Sequence, residues 1–273
     1  MLAFAANSLL CRAALSEGLI DAGSFTVVRL ISGAATLLLL WFACRFSQES
    51  RDKRSLKASV YRGISLFGYA VFFSFAYISL AAGTGALLLF GTVQLTLIGL
   101  SFTQGYRFSK VELVGLAASI VGFVFLVLPS AEKPDVLPAV LMVLSGICWA
   151  WFTRLGQIAP SPQLSITEGF VVASMFSLVI VPFISLGSAS TQGIVLAVLS
   201  GSITSAIGYF LWYRILPKML LLHASIAQLS VPVFAIAMGY LFLGEKISAM
   251  ELLLSGLILF GIAVTYFGKA SKG

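Results

Sequence analysis

The sequence predicts an all-α polytopic membrane protein with ten transmembrane helices, arranged as two inverted repeats of five helices. Three observations lead to this prediction. The composition is far too apolar for a protein surrounded by water. The chain divides into ten apolar segments separated by short polar stretches. A phrase in the first half returns near the end of the second half.

Composition indicates lipid as the solvent for most of the chain. Of the 273 residues, 59% are hydrophobic and only 10% are charged, with a mean hydropathy of +1.04. Soluble domains carry roughly 25% charged residues. The net charge of +7 is attributed to basic cytoplasmic loops, not to nucleic-acid binding. The cysteines Cys11, Cys44 and Cys148 lie in apolar runs, which indicates small core residues without a disulfide framework or metal site.

The ten apolar segments are each predicted to be helices, because backbone groups in lipid must be hydrogen-bonded within their own segment. A helix needs about 20 residues to cross the hydrocarbon layer. The first segment is short for this, and we expect it to lack several residues at its start. The segments cover residues 1–15, 24–44, 62–80, 84–103, 110–128, 136–153, 166–187, 193–215, 220–243 and 249–268.

Loop charges predict the orientation. If the N-terminus is cytoplasmic, the cytoplasmic loops hold most of the basic residues, as the positive-inside rule requires. We therefore expect a protein of the cell inner membrane with both termini in the cytoplasm. The basic residues on that side are Arg45, Arg51, Lys53, Arg54, Lys57, Arg62, Arg107, Lys110, Arg154, Arg214, Lys218, Lys269 and Lys272.

The repeated phrase predicts two helix starts. Residues 105–125 resemble residues 244–264, and each copy contains a Ser-x-x-Glu pattern, Ser109 with Glu112 and Ser248 with Glu251. This pattern is a capping box, in which the serine and the glutamate satisfy free backbone N–H groups at a helix N-terminus. It predicts the starts of the fifth and tenth helices and carries no catalytic chemistry.

The repeat extends beyond this phrase and predicts two domains, residues 1–130 and 131–273. Gly68-Tyr69 resembles Gly208-Tyr209 further along the chain. Five helices are an odd number, so the second copy enters the membrane in the opposite orientation. Inverted repeats of this kind are typical of secondary transporters, whose substrate site lies near the midplane between the halves.

These features resemble the EamA-type family of the drug/metabolite transporter superfamily. The residues that carry the resemblance are the Gly244-Glu245-Lys246 phrase with Ser248 and Glu251, Asp21 through Arg29, and the Pro-centred stretch Ser230 to Phe234. In the first half, Gln94 or a neighbour stands where the family usually has proline. The resemblance covers essentially the whole chain and defines the fold better than the substrate.

The resemblance implies a central cavity formed by helices one, three, four, six, eight and nine. It implies export of amino acids or related small metabolites by alternating access. The polar and aromatic side chains expected to line that cavity are Asn7, Tyr69, Tyr77, Gln94, Trp149, Tyr209, Trp212, His223 and Gln228. Tyr213 and Trp151 are instead interpreted as anchors at the membrane interface.

Ionisable residues constrain the mechanism. All ten acids lie in loops or near helix ends, so no sodium or proton site on a buried carboxylate is expected. Transport is then facilitated diffusion, or is coupled to protons through His223. Arg29 either pairs with Asp21 or Glu17, or binds an anionic substrate.

Other function classes are weighed against this one. No catalytic motif is present, and no cofactor is expected, which argues against an intramembrane lipid-modifying enzyme. A non-transporting scaffold would not need polar residues at its centre. Drug or quaternary-cation efflux is the alternative cargo, although it usually calls for a buried acid. The expected partners are a small metabolite and membrane lipids, not nucleic acid, and a homodimer is left open.

Overall fold

The computed structural model is a bundle of helices. It describes residues 1–43, 55–103, 105, 108–127, 136–184, 186–219, 224, 227–228 and 230–270, and within this part of the chain we count ten α-helices. The first five are α1 (Leu2–Ser16), α2 (Ala22–Ala43), α3 (Leu56–Ala76), α4 (Ala82–Thr103) and α5 (Lys110–Val127). The second five begin with α6 (Val136–Gln157) and α7 (Pro162–Ser177). They continue with α8 (Thr191–Leu199, a π-helical segment Ser200–Ile207, then Gly208–Ile215), α9 (Ser230–Leu243) and α10 (Ala249–Ala270).

Each predicted apolar segment overlaps one of these helices, and the boundaries differ where local chemistry sets them. Helix α3 begins at Leu56 and not at residue 62, because the Ser55 side chain accepts a hydrogen bond from the Ala58 backbone N–H. Helix α7 ends at Ser177 and the chain continues as a 3₁₀-helix over Leu178–Phe183, which contains Pro182.

The outer surface of the bundle is apolar. Five helical stretches are long and apolar enough to cross a membrane by length and composition: Ala22–Ala43, Ala82–Thr103, Val136–Gln157, Pro162–Phe183 and Thr191–Lys218. Large apolar side chains project outwards, including Leu39, Phe125, Phe242 and Leu253. A water-soluble monomer rarely exposes contiguous apolar patches above a few hundred Å², so this surface fits lipid.

Eight helices form one hydrophobic core, which draws its described residues from α1 to α4 and α6 to α9. Helices α5 and α10 pack tightly against each other through small residues. A Cβ atom added at Gly115 would overlap the Gly261 carbonyl oxygen, and the Ser119 hydroxyl donates to the Ile258 carbonyl at 3.3 Å. Small residues let transmembrane helices approach closely.

Both predicted capping boxes are confirmed. The Glu112 backbone N–H donates to the Ser109 hydroxyl at 3.2 Å, and the Glu112 carboxylate accepts from the Ser109 N–H. In the second copy the matching distances are 3.1 Å from the Glu251 N–H to the Ser248 hydroxyl and 2.9 Å for the return bond. The same local sequence therefore starts α5 and α10 in the same way.

The π-helical segment of α8 lies directly against α2. A Cβ atom at Gly201 would overlap the Arg29 carbonyl oxygen and the Ser32 hydroxyl. Glycine is needed here for close approach, because a backbone atom cannot move aside as a flexible side chain can. π-Helical turns are rare and occur often at functional sites.

Replacing Gly201 with alanine is expected to destabilise the protein, because α8 must shift away from α2. Overpacking of this kind costs about 1–3 kcal/mol, which corresponds to a decrease in Tm of roughly 5 °C. Thermal unfolding of the detergent-solubilised protein measures the effect. Gly256→Ala is the control, because a Cβ atom there meets nothing within 4 Å on an exposed face of α10. Equal Tm values for the two variants would refute the close contact.

Candidate functional site

Two tyrosines at equivalent positions of the predicted repeats meet in the interior of the bundle. The hydroxyl oxygens of Tyr69 on α3 and Tyr209 on α8 lie 3.1 Å apart, although the residues are 140 positions apart in the chain. Both side chains are at most 3% exposed. The pair joins the first half of the chain to the second.

Asn7 extends this contact to the π-helical segment. Its Nδ2 donates to the Tyr69 hydroxyl at 3.3 Å. Its Oδ1 accepts from the hydroxyls of Ser200 at 2.7 Å and Thr204 at 3.2 Å. Hydroxyl groups from α3 and α8 thus satisfy both polar ends of this buried amide.

Arg29 lies at the centre of the same group of side chains. It is 1% exposed, and its Nη2 donates to the hydroxyls of Tyr69 and Tyr209, each at 3.1 Å. Its Nε donates to the Ser205 hydroxyl at 3.1 Å. The guanidinium carbon lies 5.1 Å from the centroid of the Tyr69 ring and 5.0 Å from that of Phe73. We call Asn7, Arg29, Tyr69, Ser200, Thr204, Ser205 and Tyr209 the central network.

Ion pairing of Arg29 with Asp21 or Glu17, one of the two sequence-based alternatives, is wrong. Among the described residues, no carboxylate lies within 4.0 Å of the Arg29 guanidinium. Asp21 instead accepts hydrogen bonds from the backbone N–H and the hydroxyl of Ser24, at the start of α2. Sequence reasoning left Arg29 out of the predicted cavity, although a charge inside an apolar segment is itself a signal of function.

Aromatic rings surround the central network. Phe4 contacts Trp149, Tyr209 and Trp212 edge-on, with ring centroids 5.6, 5.2 and 6.1 Å away, and stacks with Phe90 at 6.5 Å. Phe4 was not predicted, since one phenylalanine among 22 carries no sequence signal of its own. Predicted cavity residues Trp149 and Tyr209 also contact each other at 4.6 Å.

The two predicted glutamines differ in their hydrogen bonding. Gln228 accepts from the Trp149 indole N–H at 2.7 Å and donates to the Ala224 carbonyl at 3.2 Å. Gln94 on α4 is 1% exposed, and neither end of its amide has a partner among the described residues. The buried Trp212 indole N–H is likewise without a partner in that part of the chain. Unsatisfied groups of this kind are rare in native interiors.

The remaining predicted residues lie elsewhere. Tyr77 is buried against Gly85 and donates to the Ala82 carbonyl at 3.3 Å, nearer one end of the bundle than the central network. His223 lies outside the described residues. Trp151 is 46% exposed, and its role as an interface anchor stays a prediction. The anchor interpretation of Tyr213 is wrong, because its ring is fully buried and its hydroxyl donates to the Phe152 carbonyl at 2.9 Å.

An ion pair joins several segments at one end of the bundle, which we call the Arg12 end. Arg12 Nε lies 3.6 Å from Glu245 Oε1, and Arg12 Nη1 donates to the Tyr77 and Ile78 carbonyls at 3.2 and 2.8 Å. The Glu245 carboxylate also accepts from the Ala82 backbone N–H through both oxygens, at 2.8 and 2.9 Å. This contact, the Arg12 latch, ties α1 to the end of α3, the start of α4 and the loop after α9.

A second ion pair lies at the opposite end, the Arg62 end. Arg62 Nη1 is 3.4 Å from Glu168 Oε2, which also accepts from the Ser59 hydroxyl at 2.7 Å. A cavity of about 200 Å³ opens beside this pair. Its lining residues are Ser55, Ala58, Arg62, Leu155, Ile158, Pro160, Ser161, Leu164, Ser165 and Glu168. Arg62 and Tyr69 are seven residues apart on α3, hence on one face.

The described residues hold no group of three His, Cys, Asp or Glu side chains that could bind a metal ion. The chemistry available at the centre is therefore hydrogen bonding, a fixed positive charge and contact with aromatic rings. These properties suit reversible binding of a small molecule.

Comparison with known proteins gives one family and several relatives. The model of the EamA-like transporter family matches residues 136–267. An uncharacterized protein of Pseudomonas aeruginosa is 41% identical over 91% of this chain and 85% of that protein. An uncharacterized transporter of Archaeoglobus fulgidus is 26% identical over 74% and 75% of the two chains. A probable amino-acid metabolite efflux pump of Salmonella typhimurium is 22% identical over 88% and 85%.

A solved crystal structure with a similar fold is among those that match. It superposes with a TM-score of 0.71 over 100% of this chain and 98% of the other, at 17% sequence identity. The similarity shows that the helical arrangement is shared with a protein whose structure is known.

Proposed function

Since this chain belongs to the EamA-like transporter family of the drug/metabolite transporter superfamily, we propose that it exports amino acids or related small metabolites by alternating access. The central network is the observation that carries the proposal, because it joins polar side chains from both halves at the interior of the bundle. The similarity to a probable amino-acid metabolite efflux pump supports the choice of cargo.

We infer that residues 1–130 and 131–273 are inverted repeats of five transmembrane helices. The contact between Tyr69 and Tyr209 supports this, since equivalent residues of two repeats meet where a two-fold axis passes between them. The loop charges support an orientation in the inner membrane with the Arg62 end and both chain termini in the cytoplasm. The Arg12 end then faces outwards.

In this scheme the structure corresponds to an occluded state. The Arg12 latch closes the outer end, the pair of Arg62 with Glu168 lies at the inner end, and the central network between them is buried. Export requires the inner pair to separate while the latch stays closed, and then the reverse. Rocking of the two repeats would expose the network to each side in turn.

Export of drugs or quaternary cations is a weaker candidate. A cation at the central network would meet the Arg29 guanidinium, and no carboxylate among the described residues lies within 4.0 Å of Arg29 to offset the repulsion. None of the seven residues of the central network has a carboxylate side chain that could carry a proton. We therefore propose facilitated diffusion, with His223 as the remaining candidate for proton coupling.

Export is tested with purified protein in liposomes loaded with a panel of radiolabelled amino acids. Wild-type protein is expected to release at least one of them, and Tyr69→Phe to slow that release roughly tenfold or more. The hydroxyl bonds to Arg29, Asn7 and Tyr209, and losing buried hydrogen bonds costs about 1–3 kcal/mol. Tyr61→Phe is the control on the same helix, because Tyr61 is 62% exposed. Release of no amino acid would refute the proposed cargo.

A further inference from the structure

We propose that Arg29 makes the central network a carboxylate-binding site, so that the protein selects small molecules with a carboxylate and rejects amines that lack one. This inference rests on the proposed function in that the network is taken as the transport site. It adds that the ligand carries a negative charge and that Arg29 recognises this charge.

The first step is the charge. Arginine stays protonated in proteins, so Arg29 carries a full positive charge although only 1% of its surface is exposed. It lies seven residues into α2, roughly 10 Å along the helix axis. Its hydrogen-bond partners among the described residues are the neutral hydroxyls of Tyr69, Tyr209 and Ser205. A buried charge without a counter-ion costs several kcal/mol, and charged groups in membrane helices normally pair or serve function.

Hydrogen-bond donors outnumber acceptors around Arg29. Arg29 Nη1 has no partner among the described residues. Tyr69 and Tyr209 share one proton between their oxygens, and the second tyrosine proton has no acceptor in the described part of the chain. The Ser205 hydroxyl accepts from Arg29 and donates to no described residue. The centre thus has more donors than acceptors, which is the arrangement expected for an anionic ligand.

The third step is the chemical class of the anion. A carboxylate oxygen accepts a charge-assisted hydrogen bond from a guanidinium N–H, and the single negative charge of the carboxylate offsets the positive charge of Arg29. Nε and Nη2 are engaged with the hydroxyls of Ser205, Tyr69 and Tyr209. The N–H groups of Nη1 bond to no described residue, so this nitrogen remains for the ligand. The rings of Phe4, Trp149 and Tyr209 supply apolar contact and π faces for the rest of the ligand, including an ammonium group.

Binding to the purified protein tests the inference. The thermal shift is measured with nine ligands, which carry the side chain of alanine, leucine or phenylalanine. Each side chain is tested in three forms: the amino acid, the amino-acid amide, and the carboxylic acid that lacks the amino group. For at least one side chain, we expect the amino acid and the acid without an amino group to raise the Tm of the protein, and the amide to leave it unchanged. Arg29→Gln is expected to weaken binding of that carboxylate on the order of 30-fold, the scale of a hydrogen bond to a charged group. The control is Arg214→Gln, which removes an exposed arginine of α8.

The outcomes separate this inference from the proposed function. Binding of carboxylates that depends on Arg29, without release of any amino acid from liposomes, would retain the anion site and refute amino-acid export. Equal shifts with amino acids and their amides, or no shift with any carboxylate, would overturn the inference whatever the transport assay shows. Unchanged carboxylate binding by folded Arg29→Gln would overturn it too.

Discussion

Replacing Ser205 with aspartate is expected to abolish release of the transported carboxylate and, at the same time, to raise the thermal stability of the protein. The Ser205 hydroxyl lies 3.1 Å from Arg29 Nε, so an aspartate there places a carboxylate beside the buried guanidinium. The variant would carry its own counter-ion and would compete with any anionic ligand. Breaking a buried ion pair costs about 3–5 kcal/mol, so forming one at a lone charge should raise Tm by roughly 5–10 °C.

Ser205→Asn is the matched control, because it adds the same volume without the charge. The two variants are compared by thermal unfolding in detergent and by release of the same radiolabelled carboxylate from liposomes. The asparagine variant is expected to be less stable than the aspartate variant. An aspartate variant that is less stable than the asparagine variant, and that still transports, would contradict an uncompensated charge at Arg29.

Removing the carboxylate of Glu245 is expected to open the Arg12 end. Glu245 holds both Arg12 and the Ala82 backbone N–H, so Glu245→Ala breaks the latch at two points. Cys11 reports the change, because it is fully buried and lies one turn from Asn7 on the inner face of α1. Losing a charge-assisted contact of about 1.5 kcal/mol should raise the rate of Cys11 alkylation roughly tenfold.

The labelling uses a membrane-impermeant maleimide and a background with Cys44→Ser and Cys148→Ser, which leaves Cys11 as the reporter thiol. Glu17→Ala is the control, because Glu17 is an exposed acid at the same end of the bundle. If the maleimide reacts with Cys11 at the same rate in both variants, the latch does not control access. Labelling from only one side of oriented vesicles would also establish which way the Arg12 end faces.

Local sequence predicted the helices well because lipid imposes local requirements. Each span must be long, apolar and internally hydrogen-bonded, and these properties can be counted along the chain. Both capping boxes were predicted correctly for the same reason, since all their hydrogen bonds join residues three positions apart. The predicted boundaries were wrong at the start of α3 and at the end of α7. The start of α3 depends on a single serine cap, and α7 is followed by a 3₁₀-helix that contains a proline.

The candidate site was predicted in part. The family resemblance implied a cavity lined by side chains that include Asn7, Tyr69, Trp149, Tyr209 and Gln228, and all five are buried. Ser200, Thr204 and Ser205 were not predicted, because hydroxyl residues are common in membrane helices and usually bond to their own backbone. Only the neighbouring helices show which of them face a polar partner.

The sequence by itself determined the apolar character of the chain, the number of helices, the capped starts of α5 and α10, and the repeated phrase. Each of these depends on residues close together in the chain or on a direct comparison of its halves. Tertiary structure decided the surroundings of Arg29. The sequence offered nearby acids in Asp21 and Glu17, whereas folding brings Ser205 and Tyr209 to it from more than 170 positions away. The physical reason is the close contact at Gly201, which sets α8 against α2 and surrounds a buried charge with neutral hydroxyls.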